Sequence, residues 1–292
     1  MARVLLGKEV AQVVKDRSRK IVVELQEKNI TPCLGIVRVG ERPDDLYYQS
    51  SLIKVCREVG LDFRIISLDQ ETSQVQLENA ITSFCDNKSV HGVLLFSPLP
   101  PNLDEVAARQ KIIQQKDVDC LTLAAAADVF TDAPDSFAPC TAAAVMEMLH
   151  YYDIPIQGKR AVIIGRSLVV GKPLAMLLLQ KNATVTICHS KTVDLPKVCR
   201  EADILVAAIG QAMMINEDYV KAGQIVIDVG INPHPQKKGR ICGDLDYDAI
   251  EPIVEAITPV PGGVGSITSA ILIWQTVLAC QRMNKKNEYR KY

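Results

Sequence analysis

Gly165 and Gly171 bracket a five-residue loop, RSLVV, between the apolar run RAVIIG and the helix-forming run LAMLLLQ, with Lys172 and Pro173 at the junction. Glycine at a tight strand-to-helix turn and proline in a first helical turn are what a phosphate-binding helix N-terminus needs. The GxGxxG spacing is absent, so spacing alone leaves a nucleotide cradle and an ordinary βα turn equally open. Arg166 favours the cradle, because a guanidinium there can pair with phosphate oxygens through two hydrogen bonds. The next strand, ATVTIC, is an independent test. An enzyme of this architecture that uses NAD ends that strand in Asp or Glu, which accepts from the ribose 2′-hydroxyl. Here the positions hold His189, Ser190 and Lys191, donors that suit a 2′-phosphate, with no carboxylate to repel it. Alone they also fit a solvated polar loop; with Gly165, Arg166, Ser167 and Gly171 they indicate an NADP site.

The other reactive residue types form no cluster. Nine cysteines run from Cys33 to Cys280 without a CxxC pair, several inside apolar stretches, as a reduced intracellular protein uses them. His91, His150, His189 and His234 are dispersed with no HxxxH or HxH grouping, so no metal site is expected.

The elements that must carry the loop follow from hydrophobic patterning. Short β-branched runs alternate with longer helical patterns, which is the mark of βα units and a largely parallel sheet. Residues 8 to 29 read as a helix, and PCLGIVRVG, DFRIISL and VHGVLLFSPLP read as strands separated by helical stretches. In the second half RAVIIG, ATVTIC, DILVAAIG and QIVIDVG read as four strands with both faces buried. A helix from about 141 to 151 joins the halves, and a last helix over about 266 to 283 returns to the first. The expected architecture is α/β: an N-terminal substrate domain, residues 1–145 plus 268–292, and a Rossmann-like doubly wound domain, residues 146–267.

Composition narrows the partners. The 292 residues carry a formal net charge of −1 and are 48% hydrophobic, enough core for two domains and no field to gather nucleic acid or anionic lipid. The stretch ITSAILIWQTVLAC is too short and too polar to span a bilayer. The start MARVLLGKEVAQ lacks the apolar core and cleavage site of a signal peptide, so the cytoplasm is the expected compartment.

The runs GRSLVVGKP, ATVTICHSKT, ADILVAAIG, IVIDVGIN, GDLDYD and TPVPGGVG, with GKEVAQ, VRVGERPDDLYY, SPLPP and KDVDC, resemble one family over nearly the whole chain. It is the methylenetetrahydrofolate dehydrogenase/cyclohydrolase family, the FolD-type bifunctional enzymes of one-carbon metabolism. The resemblance implies two α/β domains, a folate cleft, NAD(P) on the C-terminal domain and a homodimer. It places cofactor contacts on Gly165, Arg166, Ser167, Ser190 and the backbone of Ile231. It assigns Asp119 to the donor edge of the pterin and Tyr48, Gly262 and Gly263 to the substrate.

Two positions break the family pattern. A tyrosine there is followed four residues on by the catalytic lysine; counting back from Gly60, Tyr48 holds the tyrosine position and Leu52 stands in place of the lysine. Lys54 lies two residues on, roughly 200° around a helix axis, and is expected to face away. The glutamine of the family's VQLPLP, which bonds that lysine, is replaced by Phe96. Further departures are Asp45 for serine, Cys120 for glycine, the run TLAAAADVF, and Ser266 for proline. The resemblance thus implies NADP-dependent oxidation of 5,10-methylenetetrahydrofolate with cyclohydrolase activity weak or lost. The alternatives are a silent or substrate-shifted NADP-binding homologue and a still bifunctional enzyme.

Overall fold

The computed structural model describes residues 1–289. In chain order, strand β1 (Arg3–Val4) and helix α1 (Gly7–Gln26) lead to β2 (Cys33–Val39), α2 (Pro43–Val59), β3 (Asp62–Leu68), α3 (Gln74–Asp86) and β4 (Gly92–Leu95). Three helices follow, α4 (Glu105–Arg109), α5 (Leu123–Thr131) and α6 (Cys140–Tyr151), then β5 (Arg160–Ile164), α7 (Gly171–Gln180) and β6 (Thr184–Cys188). The remainder is α8 (Leu195–Arg200), β7 (Ile204–Ala207), β8 (Ile225–Asp228), β9 (Asn232–Pro233), β10 (Ile241–Cys242), α9 (Tyr247–Ile250), β11 (Ala256–Ile257) and α10 (Thr268–Tyr289).

Two compact units result among the described residues, one of residues 12–138 with 269–289 and one of 1–11 with 139–268. The first holds a parallel sheet in the order β3-β2-β4. Central β2 is buried at all seven residues, which is why CLGIVRV is nearly all apolar, whereas edge strand β3 alternates. Helix α2 starts with Pro43 in its first turn and stops at Gly60, whose left-handed backbone lets its N–H bond the Cys56 carbonyl. Helix α3 starts on a capping box between Ser73 and Gln76.

The second unit holds the six-stranded sheet β1-β11-β8-β7-β5-β6, parallel throughout. It includes residues 1–11 and 139–145, which the expected division gave to the substrate domain. The physical reason is strand pairing: Arg3 and Val4 align with Ala256 and Ile257, and the Tyr152 hydroxyl both accepts from Leu6 N (2.8 Å) and donates to Leu6 O (2.9 Å). Strand β6 also departs from expectation. It closes the sheet at one edge, and four of its five residues are partly or fully exposed. The tail from Met283, which reads as loosely held, continues α10 to Tyr289, and its last three residues lie outside the described residues. Among the described residues no helix is long and apolar enough to cross a membrane.

Candidate functional site

The glycine loop follows β5 at the carboxyl-terminal edge of the six-stranded sheet, where open α/β sheets take their ligands. Gly165 has φ +132°, and a Cβ there would overlap the Ala208 carbonyl oxygen; a Cβ on Gly171 would overlap the carbonyl oxygen of Gly165 itself. Both positions therefore exclude any side chain. Between them Arg166 and Ser167 are exposed, and Ser167 Oγ accepts from Val170 N at 3.1 Å, shaping the turn into α7. Gly165 N donates to Cys188 O at 2.9 Å, which ties the loop to the end of β6. There the His189 N–H donates to Thr192 Oγ1 (2.9 Å), and His189 Nδ1 accepts from Lys191 N (3.1 Å), so Nε2 is the ring's remaining donor. Ser190 and Lys191 are exposed beside it. Ile231 is exposed just beyond β8. The segment after β11 carries Gly262, with φ +107°, and buried Gly263. Gly262 O accepts from Gly7 N at 2.8 Å, and Ser266 N donates to Gly263 O at 3.1 Å, a bond that the family's proline has no N–H to make.

In the other unit Tyr48 and Leu52 lie one turn apart on α2, and the Tyr48 ring meets Phe96 just past the end of β4. Phe96 extends the ladder of β4, its N–H donating to Val37 O at 3.0 Å. Its ring centroid is 5.5 Å from that of Tyr48 with planes 44° apart. Leu52 has no exposed surface at all, so it fills the space rather than lining it. Lys54 is exposed, and its charge acts on Glu58, one turn along the helix. The Glu58 carboxyl is held below its ordinary range first by the hydrogen bond from Lys15 and then by surrounding cations that include Lys54. Buried Asp45 accepts twice from Arg42, at 2.8 and 2.7 Å, and Arg42 also donates to Ser97 O at 3.3 Å.

Half-buried Asp119 sits in a segment pinned by three groups that patterning did not single out. The buried Lys116 ammonium donates to the carbonyls of Phe84 (3.0 Å), Cys85 (2.6 Å) and Asn87 (2.8 Å). The Asp117 carboxylate accepts from Leu121 N and Thr122 N, each at 2.8 Å, and Gln275 Nε2 donates to Val118 O at 2.7 Å. Cys120 takes the family glycine's place with φ +53°, a left-handed backbone that costs an L-residue about 1 kcal/mol. In the nucleotide-type unit Asp228 and Asp244 are also buried, and patterning does not single them out. The available sign is a charge beside apolar residues, Asp228 in QIVIDVG, Asp244 in GDLDYD and Lys116 and Asp117 in KDVDC. Among the described residues no group of three or more His, Cys, Asp or Glu could hold a metal ion.

Comparison with known proteins places this geometry. Residues 5–119 match the tetrahydrofolate dehydrogenase/cyclohydrolase catalytic domain, and residues 139–284 match the NAD(P)-binding domain of the same family. The bifunctional protein FolD of Carboxydothermus hydrogenoformans is 56% identical over 284 residues, 97% of this chain and 99% of that one. The solved bifunctional FolD methylenetetrahydrofolate dehydrogenase/cyclohydrolase of Campylobacter jejuni gives a TM-score of 0.93 at 36% identity, covering 97% of this chain and all of the other. The FolD of Trypanosoma brucei, solved with NADP cofactor and inhibitor, gives 0.91 at 34% identity, covering 97% and 98%. With both halves matched in order and a relative identical at more than half its positions, the chain belongs to the tetrahydrofolate dehydrogenase/cyclohydrolase family.

Proposed function

We propose that this enzyme moves hydride from 5,10-methylenetetrahydrofolate to NADP, and that it hydrolyses the 5,10-methenyltetrahydrofolate product weakly or not at all. The observation that carries the second half is that Leu52, one helical turn after Tyr48, is fully buried and that Phe96 pairs with the Tyr48 ring, while Lys54 stands exposed.

The first reaction asks for alignment more than for proton transfer. The lone pair on the folate nitrogen beside the methylene carbon drives hydride departure, so the protein's task is to hold donor and acceptor in line. Bound NADP supplies the nicotinamide that accepts the hydride. Arg166, His189, Ser190 and Lys191 fit its phosphorylated ribose, since they present donors and no carboxylate. Asp119 offers a carboxylate to the donor edge of a pterin, and Tyr48 offers a ring face and a hydroxyl.

Hydrolysis of the methenyl product needs water activated and a proton moved at the same carbon. A lysine at position 52 with a glutamine at 96 would supply that chemistry; leucine and phenylalanine cannot. Removing the ammonium alone would strand a buried amide, a penalty of about 1–3 kcal/mol, whereas replacing both partners with apolar groups is nearly neutral. The paired change is what selection against a stranded group leaves behind.

The 56% identity to a protein named bifunctional favours a second reading, in which another group sustains hydrolysis. One experiment separates them. Full-length protein is given methylenetetrahydrofolate and NADP, then methenyltetrahydrofolate alone. Reduced cofactor with accumulating methenyl product is expected. No reduced cofactor at high enzyme would overturn the dehydrogenase; methenyl hydrolysis well above the solvent rate would overturn its restriction. Replacing NADP by NAD is expected to weaken the first reaction, and a preference for NAD would remove the argument from His189 and Ser190.

A further inference from the structure

Asp228 ends β8, and its carboxylate is filled by backbone. Oδ1 accepts from Gly230 N (2.9 Å) and Asp244 N (3.0 Å), and Oδ2 accepts from Leu245 N (2.9 Å). Asp244, with no exposed surface, repeats the device one step on. Its Oδ2 accepts from Ile209 N (2.7 Å) and Gly210 N (3.2 Å), and its Oδ1 from Gln211 N (2.9 Å) and Asn232 Nδ2 (2.9 Å). Three consecutive N–H groups of the loop after β7 thus converge on one carboxylate. The residue before them, Ala208, sets its carbonyl oxygen where a side chain on Gly165 would be. The two acids therefore link the loops after β5, β7 and β8, all at the carboxyl-terminal edge of one sheet. Four donors on Asp244 also spread its charge, which an edge that takes an anionic ligand requires.

We propose that Asp244 is a positioning residue for the dinucleotide: it fixes the loop 208–211 against the glycine turn at 165, and Asp228 fixes Asp244. The inference rests on the NADP reading above and adds a role to residues that touch no cofactor themselves. Without Asp244 the three amides turn to water, and the loop loses the shape that leaves the turn open.

Asp244→Asn tests it, because an NH2 group then faces N–H donors. The variant is expected to bind NADP about tenfold more weakly by calorimetry, with faster amide exchange at 209–211 in the ligand-free protein. Asp203→Asn is the control, since Asp203 Oδ2 accepts from Arg160 N (2.8 Å) at the opposite edge of the same sheet. It is expected to lower stability and leave NADP affinity unchanged. Wild-type affinity in Asp244→Asn, or an equal loss in Asp203→Asn, overturns the proposal. Should Asp244→Asn not fold, exchange in the wild-type protein decides: protection of 209–211 comparable to β7 supports the role, and exchange at the rate of an exposed loop overturns it. A wild-type protein that binds no NADP sinks the functional reading instead, since loop protection is read without cofactor.

Discussion

In the unit that carries Tyr48 and Asp119, the buried groups that grip backbone include a cation, Lys116, whose ammonium collects three carbonyls. In the nucleotide-type unit they include two anions, Asp228 and Asp244, which together collect six backbone N–H groups. The units differ as much in what they have lost. On the function proposed above, the first unit carries apolar packing at 52 and 96 where relatives keep a polar pair, while the second holds its loops through buried acids. A lysine and its glutamine can leave together because each satisfies the other. An acid that holds six amides in common with a neighbour cannot, since no single second substitution removes six backbone N–H groups.

The largest effect that could break this contrast lies at position 52. Leu52→Lys alone buries an ammonium without a partner and is expected to lower stability by about 3–5 kcal/mol in urea unfolding. Adding Phe96→Gln restores a partner, so the loss shrinks, and methenyl hydrolysis is expected to rise by about 100-fold. A folded double variant that hydrolyses no faster than wild type shows that Leu52 is not at the reacting centre.

Next come opposite responses to pH. Burial first, and then the Lys116 charge, lower the pKa of His91 from 6.5 to about 4. The folded state thus disfavours the protonated ring, and the stability His91 contributes is present above pH 6.5 and lost as pH falls towards 4. Burial raises Asp228 from 3.8 to about 6, although three N–H groups favour its charged form. Its contribution is present below pH 3.8 and is lost as pH rises through 6. Each amounts to about 3 kcal/mol at most. The stability difference between wild type and Asp228→Asn should therefore shrink from pH 4 to pH 6, while that between wild type and His91→Phe should grow. Equal slopes for both variants would remove the electrostatic distinction between the units.

Lys116→Met is expected to cost about 1–3 kcal/mol, because three carbonyls near the end of α3 lose their donor. A protein as stable as wild type would mean that water replaces the ammonium there.

The strands β2 to β8 are legible in sequence because each is an apolar or alternating run of four or more residues between turn residues. Strands β1 and β11 are two residues long, too short for any period to register, so nothing in the sequence shows that residues 1–11 pack with the six-stranded sheet. The run TLAAAADVF reads only as a departure from the family, yet Thr122 caps it, its Oγ1 accepting from Ala125 N at 3.1 Å, and α5 forms. The glycine loop is legible because its chemistry is local. Lys116 and Asp244 are not, since their partners lie about thirty residues away in sequence, brought close only by the sheet.

The smallest expected effect bears on the same helix as the largest. Lys54 is exposed, two residues from Leu52, and its charge acts on Glu58. An exposed pair of that kind is worth about 0.5 kcal/mol or less. Lys54→Ala should therefore leave unfolding nearly unchanged and leave both hydride transfer and residual hydrolysis at wild-type rates. Loss of hydrolysis in this variant would place the ammonium of Lys54 at the reacting carbon and make the apolar packing at 52 irrelevant to which of the two reactions survives.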